Sequence, residues 1–204
     1  MQPFVTQSSI IFTGQTTYST GSNPKSLNAV DINGDGKPDI IVVNSGSNNV
    51  GVLLNIGNGT FAAQTTYSTG DRPNSVVAAD VNGDGKPDII VVNSGSNNVS
   101  VLINIGNGTF AAQMTYSTGT GPYEATAADV NGDGKPDIIV VNYLSNNVSV
   151  LLNIGNGTFA AQTTYSTGNG PDSVVAVDVN GDNKTDIIVA NFGSNNVGVL
   201  LNYC

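Results

Sequence analysis

The chain has no histidine and no tryptophan, and its one cysteine, Cys204, is the last residue. Without histidine the commonest general base is missing, and no nucleophilic side chain has a base beside it, so an enzyme is not expected. A lone cysteine cannot staple the fold, which leaves Cys204 as a free tail thiol or an intermolecular bridge. Basic residues are scarce too. Of six Lys and Arg, four (Lys37, Lys86, Lys135, Lys184) occupy one position of a repeated motif, so no basic patch exists for nucleic acid. No apolar run approaches the ~20 residues of a membrane-spanning helix, so membrane insertion is not expected. Residues 1–12 lack the basic start and apolar stretch of a signal peptide.

What the chain has instead is a repeated acidic loop. Asp31-Ile32-Asn33-Gly34-Asp35-Gly36-Lys37-Pro38-Asp39 returns from Asp80, Asp129 and Asp178, each copy starting 49 residues after the last. Twelve of the fifteen acidic residues lie in these loops; only Asp71, Glu124 and Asp172 lie outside them. An Asx-rich turn explains the Asn and Gly, but it does not explain three carboxylates in one short loop, which repel unless something neutralises them. Oxygen donors at loop positions 1, 3, 5 and 9, an inward carbonyl at position 7 and a glycine at position 6 for the sharp turn suit a hard cation. The expectation is calcium, about four ions, one per repeat. The expected ligands are Asp31, Asn33, Asp35, the Lys37 carbonyl and Asp39, then Asp80, Asn82, Asp84, Lys86 and Asp88. In the third and fourth copies they are Asp129, Asn131, Asp133, Lys135 and Asp137, and Asp178, Asn180, Asp182, Lys184 and Asp186. Four divalent ions would bring the net charge from −9 to about −1. The fourth loop replaces the position-6 glycine with Asn183, the non-glycine residue that best tolerates positive φ.

Between the loops the chain reads as short strands. Ser75–Ala79, Ile89–Val92, Val99–Ile103 and Thr109–Tyr116 are rich in β-branched and aromatic residues and bounded by Gly, Pro, Asn or Asp. The Ile-Ile-Val-Val run is apolar on both faces, as in a strand buried between two layers. Four strands in a period of 49 residues predict an all-β chain, a β-propeller of four-stranded blades forming a single domain over residues 1–204. Residues 1–9 are a leader, 10–18 a closing strand, and units begin near 19, 68, 117 and 166. EF-hand and dockerin-type loops need flanking helices, and the EF-hand also needs a Glu where Val42, Val91, Val140 and Val189 stand.

The succession Asn-x-Gly-Asn-Gly-Thr-Phe, Gly-x-x-Pro, Asp-Val-Asn-Gly-Asp-Gly-Lys-Pro-Asp-Ile-Ile-Val-Val-Asn and Val-Ser-Val-Leu-x-Asn resembles the VCBS/FG-GAP repeat of integrin-α-like propellers, over residues 10–202. The resemblance implies a calcium-binding, extracellular propeller used in adhesion, in glycan binding or beside secreted enzymes. This chain differs in having Phe61-Ala62 for the Phe-Gly signature and four units where many relatives have seven.

The last unit lacks its own outer strand, and residues 10–18 supply a spare one. Pairing the two closes a four-bladed monomer, the expected form; the alternative is two half-rings exchanging strands into an eight-bladed dimer. The four units differ mostly in the turns entering strand one and leaving strand two, which lie on the face away from the metal loops. Arg72, Tyr123, Glu124, Tyr143 and Phe192 are the candidate ligand-binding residues there, because loops on a rigid scaffold carry recognition and aromatics stack on sugars or protein side chains. A secreted binding or adhesion module for a glycan or extracellular protein is the expected function, with a ligand-free repeat scaffold using purely structural calcium as the alternative.

Overall fold

A computed structural model describes residues 14–203. In the first unit β1 (Pro24–Val30), β2 (Asp39–Asn44), β3 (Asn49–Leu53) and β6 (Thr65–Ser68) form an antiparallel sheet in that order, and β4 (Asn55–Gly57) with β5 (Thr60–Phe61) makes a small hairpin beside it. The second unit repeats this with β7 (Pro73–Ala79), β8 (Asp88–Asn93), β9 (Asn98–Leu102), β10 (Asn104–Gly106), β11 (Thr109–Phe110) and β12 (Met114–Ser117). The third does so with β13 (Pro122–Ala128), β14 (Asp137–Asn142), β15 (Asn147–Leu151), β16 (Asn153–Gly155), β17 (Thr158–Phe159) and β18 (Thr163–Ser166). The fourth comprises β19 (Pro171–Val177), β20 (Asp186–Asn191), a 3-10 turn (Phe192–Ser194) and β21 (Asn196–Leu200). Each innermost strand starts at a proline, where the missing N–H interrupts no ladder.

Strand β8 shows why the Ile-Ile-Val-Val run needs two apolar faces. Ile89 and Val91 join Ile41, Val43, Val50 and Val52 of the first sheet in one core. Ile90 and Val92 join Val99, Val101, Ala125, Ile138 and Val140 in the next. A third core lies between the third and fourth sheets, around Ile139, Val141, Val148, Val174 and Val189. Fully burying one such side chain stabilises by about 1.5–3 kcal/mol, so the second and third sheets are held from both sides. Innermost strands adjoin in the same order, β1 by β7, β7 by β13 and β13 by β19.

Two expectations need correction. The single strand expected over Thr109–Tyr116 is broken: Phe110 turns back in the β10–β11 hairpin, the Ala111 amide donates to the Ile103 carbonyl at 2.8 Å, and pairing with β9 resumes only at Met114. The expected closing strand is also not formed where it can be seen. Residues 14–18 form no strand, and among the described residues the fourth sheet stops at β21; residues 10–13 lie outside the described residues. Tyr18 sits on Phe61 of the first unit, ring centroids 5.4 Å apart, and β1 lacks with β19 the contact that joins the other innermost neighbours.

Candidate functional site

The pairing settles which loops share a face. Val30 opposes Asp39 and Pro24 opposes Asn44, so each acidic loop lies at one end of its sheet and the variable turns lie at the other.

At the acidic end the chain curls around Asp31. Its Oδ1 accepts from the Gly34 and Asp35 amides at 2.8 and 3.1 Å, and its Oδ2 from Gly36 at 2.7 Å. Gly36 has φ 81° and Asn183, at the matching place in the fourth loop, φ 63°, the positive φ this position requires. Asn33 Oδ1 accepts from the Asp35 amide, and Asp35 accepts from both the amide and the ammonium of Lys37, the latter at 2.9 Å. The lysine side chain first, and its amide second, hold the Asp35, Asp84 and Asp133 carboxyls below the usual range. The fourth loop departs from this: Lys184 donates to the Tyr203 carbonyl, and the Asn180 amide takes its place on Asp182. Asp178 is held low by the amides of Gly181 and Asn183.

Position 9 behaves differently. Asp39, Asp88, Asp137 and Asp186 are fully buried. Asp88 accepts from the Val81 amide at 2.9 Å and the Asn104 amide at 2.7 Å, locking the loop to the next hairpin. Burial pushes Asp88 and Asp137 up, against the pull of these amides. Each unit then clasps its predecessor: the Asn104 side-chain amide donates to the Ile32 carbonyl and Asn153 to the Val81 carbonyl, at 2.9 and 2.8 Å.

These oxygens are of the kind that calcium takes. A carboxylate has about four lone-pair sites, so Asp31 with three amide donors and Asp88 with two retain capacity for a hard cation. As the loops stand, their own N–H groups use much of that capacity, and no three acidic side chains among the described residues are gathered closely enough to hold a metal ion.

At the opposite end the residues after the strand-opening prolines link the first three units. Lys25 donates to the Asn74 side-chain oxygen, and the Asn74 amide donates to the Tyr123 carbonyl at 2.6 Å. The Lys25 ammonium also lies 5.8 Å from the centre of the Tyr123 ring, whose other neighbour is Tyr143 at 6.1 Å. Asp172 occupies the same place in the fourth unit. The candidates named from sequence are thus only partly assembled. Tyr123 and Tyr143 adjoin, but Tyr143 is half-buried, because Gly170 of the next unit has no side chain to fill that space. Leu144 and Phe192 are the protruding apolar groups. Glu124 accepts from the Val174 amide at 3.3 Å and is a strut between units. Arg72 is exposed at φ 49°, its amide bonded to Asn48. Lys25, Asn74 and Asp172 were missed as site residues; the signal for them was their shared place after Pro24, Pro73 and Pro171.

A family model described as FG-GAP-like repeat matches residues 31–91, 80–140 and 129–189. Comparison with curated proteins by sequence gives no match. Among solved structures, an Agrocybe aegerita lectin that recognises non-reducing terminal N-acetylglucosamine is 25% identical, with a TM-score of 0.56 over 85% of this chain and 51% of the lectin. Virginiamycin B lyase from Staphylococcus aureus is 16% identical, with a TM-score of 0.63 over 91% of this chain and 56% of the lyase, a likeness of fold alone. The chain therefore spans about half the length of these propeller-like relatives.

Proposed function

Since the chain belongs to the FG-GAP-like repeat family, we propose that it is a secreted recognition module that binds a glycan at the mouth formed by Lys25, Asn74, Tyr123 and Asp172, with calcium held in the loops of the opposite face. The observation that carries this reading is the Tyr123 ring set between Lys25 and Tyr143, with the Asn74 amide on its carbonyl. An exposed aromatic ring with a cation beside it offers a stacking surface for sugar C–H groups and a partner for hydroxyls. The lectin likeness supports the same class of ligand. Calcium would be held by Asp31, Asn33, Asp35, the Lys37 carbonyl and Asp39 and their equivalents, where its charge offsets carboxylate repulsion. No catalytic role is proposed, because the mouth offers no histidine and no nucleophile paired with a base.

A glycan array that includes terminal N-acetylglucosamine, run with calcium and with chelator, tests the reading. Binding by the calcium-loaded protein that is lost in Tyr123→Ala, with the melting temperature unchanged, is the expected result. No glycan bound by protein shown to be calcium-loaded, or binding indifferent to Tyr123→Ala, would refute it.

A further inference from the structure

The three junctions between units use one template, and each end of the chain carries half of it. On the side of a sheet facing the preceding unit, Val76, Ala125 and Val174 are 6%, 7% and 5% exposed; the matching Leu27 is 69% exposed. On the side facing the following unit, Val50, Val99 and Val148 are fully buried, whereas Val197 is 65% exposed. Val199 and Val179 are half exposed, against near-complete burial of Val52 and Ile32. Within one copy these two half-junctions do not meet.

The polar parts of the template are split the same way. Asn104, Asn153 and Asn202 each donate across a junction to a loop carbonyl, of Ile32, Val81 and Val130. The Asn55 side-chain amide donates to Pro38 of its own unit and, among the described residues, crosses no junction; the equivalent carbonyl at the far end is that of Val179. At the mouth, Lys25 bridges forward to Asn74, and the residue that would precede Lys25 in the series is acidic, Asp172. Among the described residues strand β21 has a free edge, while Thr16–Ser19, the counterpart of β6, forms no strand although Tyr18 is already seated on Phe61.

We infer that a second copy of this chain covers both ends, head to tail, so that two four-unit arcs close on each other. Independently of any glycan, the apolar faces match, the charges of Asp172 and Lys25 are opposite, and one chain covers only 51% of the lectin it resembles. By the register of β3 on β6, Val197 and Gly198 of one copy would oppose Tyr18 and Thr17 of the other. Pairing removes two open strand edges and two apolar faces at once.

Light scattering under reducing conditions should give twice the 20.8 kDa of the chain. Leu27→Asp and Val197→Asp, each checked for native circular dichroism, should each give the single-chain mass, and an equimolar mixture should regain a one-to-one pair through its one intact junction. To guard against variants that fail to fold, Thr17→Cys with Gly198→Cys, on a Cys204→Ser background, should form interchain disulfides on oxidation; Gly198→Cys resembles the serine at position 100 of the second unit. A single-chain mass for the unaltered protein, a mass of three chains or more, or an intrachain disulfide would each overturn the pairing, the last in favour of a four-bladed monomer.

Discussion

Replacing Asp137 with asparagine, in excess chelator so that no cation takes part, isolates what the position-9 carboxylate does for the fold. Its Oδ2 accepts from the Val130 amide at 3.0 Å and its Oδ1 from the Asn153 amide at 2.8 Å, and the side chain is fully buried. Asparagine keeps the shape but retains one acceptor and turns an N–H₂ toward the second amide. One hydrogen bond to a charged group is lost, about 1.5–3 kcal/mol, and a buried amide is left unmatched at a further ~1–3 kcal/mol. Relief of burying the charge offsets part of this, as the raised position of the Asp137 carboxyl indicates. A net loss of about 2–4 kcal/mol follows, or roughly 5–15 °C in Tm for a chain of this size. Asp133→Asn in the same loop removes a solvent-exposed pairing with Lys135 and should leave the urea midpoint almost unmoved. Urea unfolding followed by circular dichroism measures both. If Asp137→Asn lies within 0.5 kcal/mol of Asp133→Asn, a difference of about the size that surface substitutions produce, the lock between loop and hairpin has no energetic weight.

Three further outcomes are expected. Chelation should lower the melting temperature and calcium restore it better than magnesium; a site with a dissociation constant of ~10 μM contributes roughly 2.7 kcal/mol at ~1 mM calcium, so coincident melting curves would remove the ion from the account. Gly170→Ala should destabilise by about 1–2 kcal/mol, because φ is 56° there and the new Cβ would lie 3.1 Å from the Tyr143 ring; an unchanged urea midpoint would show that the ring moves aside freely. Asn183→Gly should raise stability by about 0.5–1 kcal/mol by relieving a left-handed residue, and a loss on calorimetry would mean that the asparagine side chain is needed.

The sheets were legible because their cause is local. Ile89 to Val92 states in four letters that both faces are buried, and the 49-residue return of the loop sets the unit. Which face carries the variable turns also followed from strand direction alone. What could not be read depended on neighbours far apart in the chain. Lys25, Asn74 and Tyr123 meet only because innermost strands stand side by side, and Tyr143 sinks only because residue 170 is glycine. The break after Phe110 was hidden because Ala111 to Gln113 carry no punctuating Gly or Pro; the interruption comes from the hairpin pulling Phe110 back toward Asn104.

The division of β8, with odd residues in one core and even residues in the other, bears on how such a chain can grow. The second and third sheets are each roof to one core and floor to the next, and the three junctions are built from the same pairs of positions. An in-frame duplication of 49 residues therefore creates one more junction of a kind that already exists and asks no residue elsewhere to change. A break at half a period would separate Asp88 from the Asn104 amide and Asn104 from the Ile32 carbonyl together, so the natural unit of insertion, deletion and exchange runs from one strand-opening proline to the next.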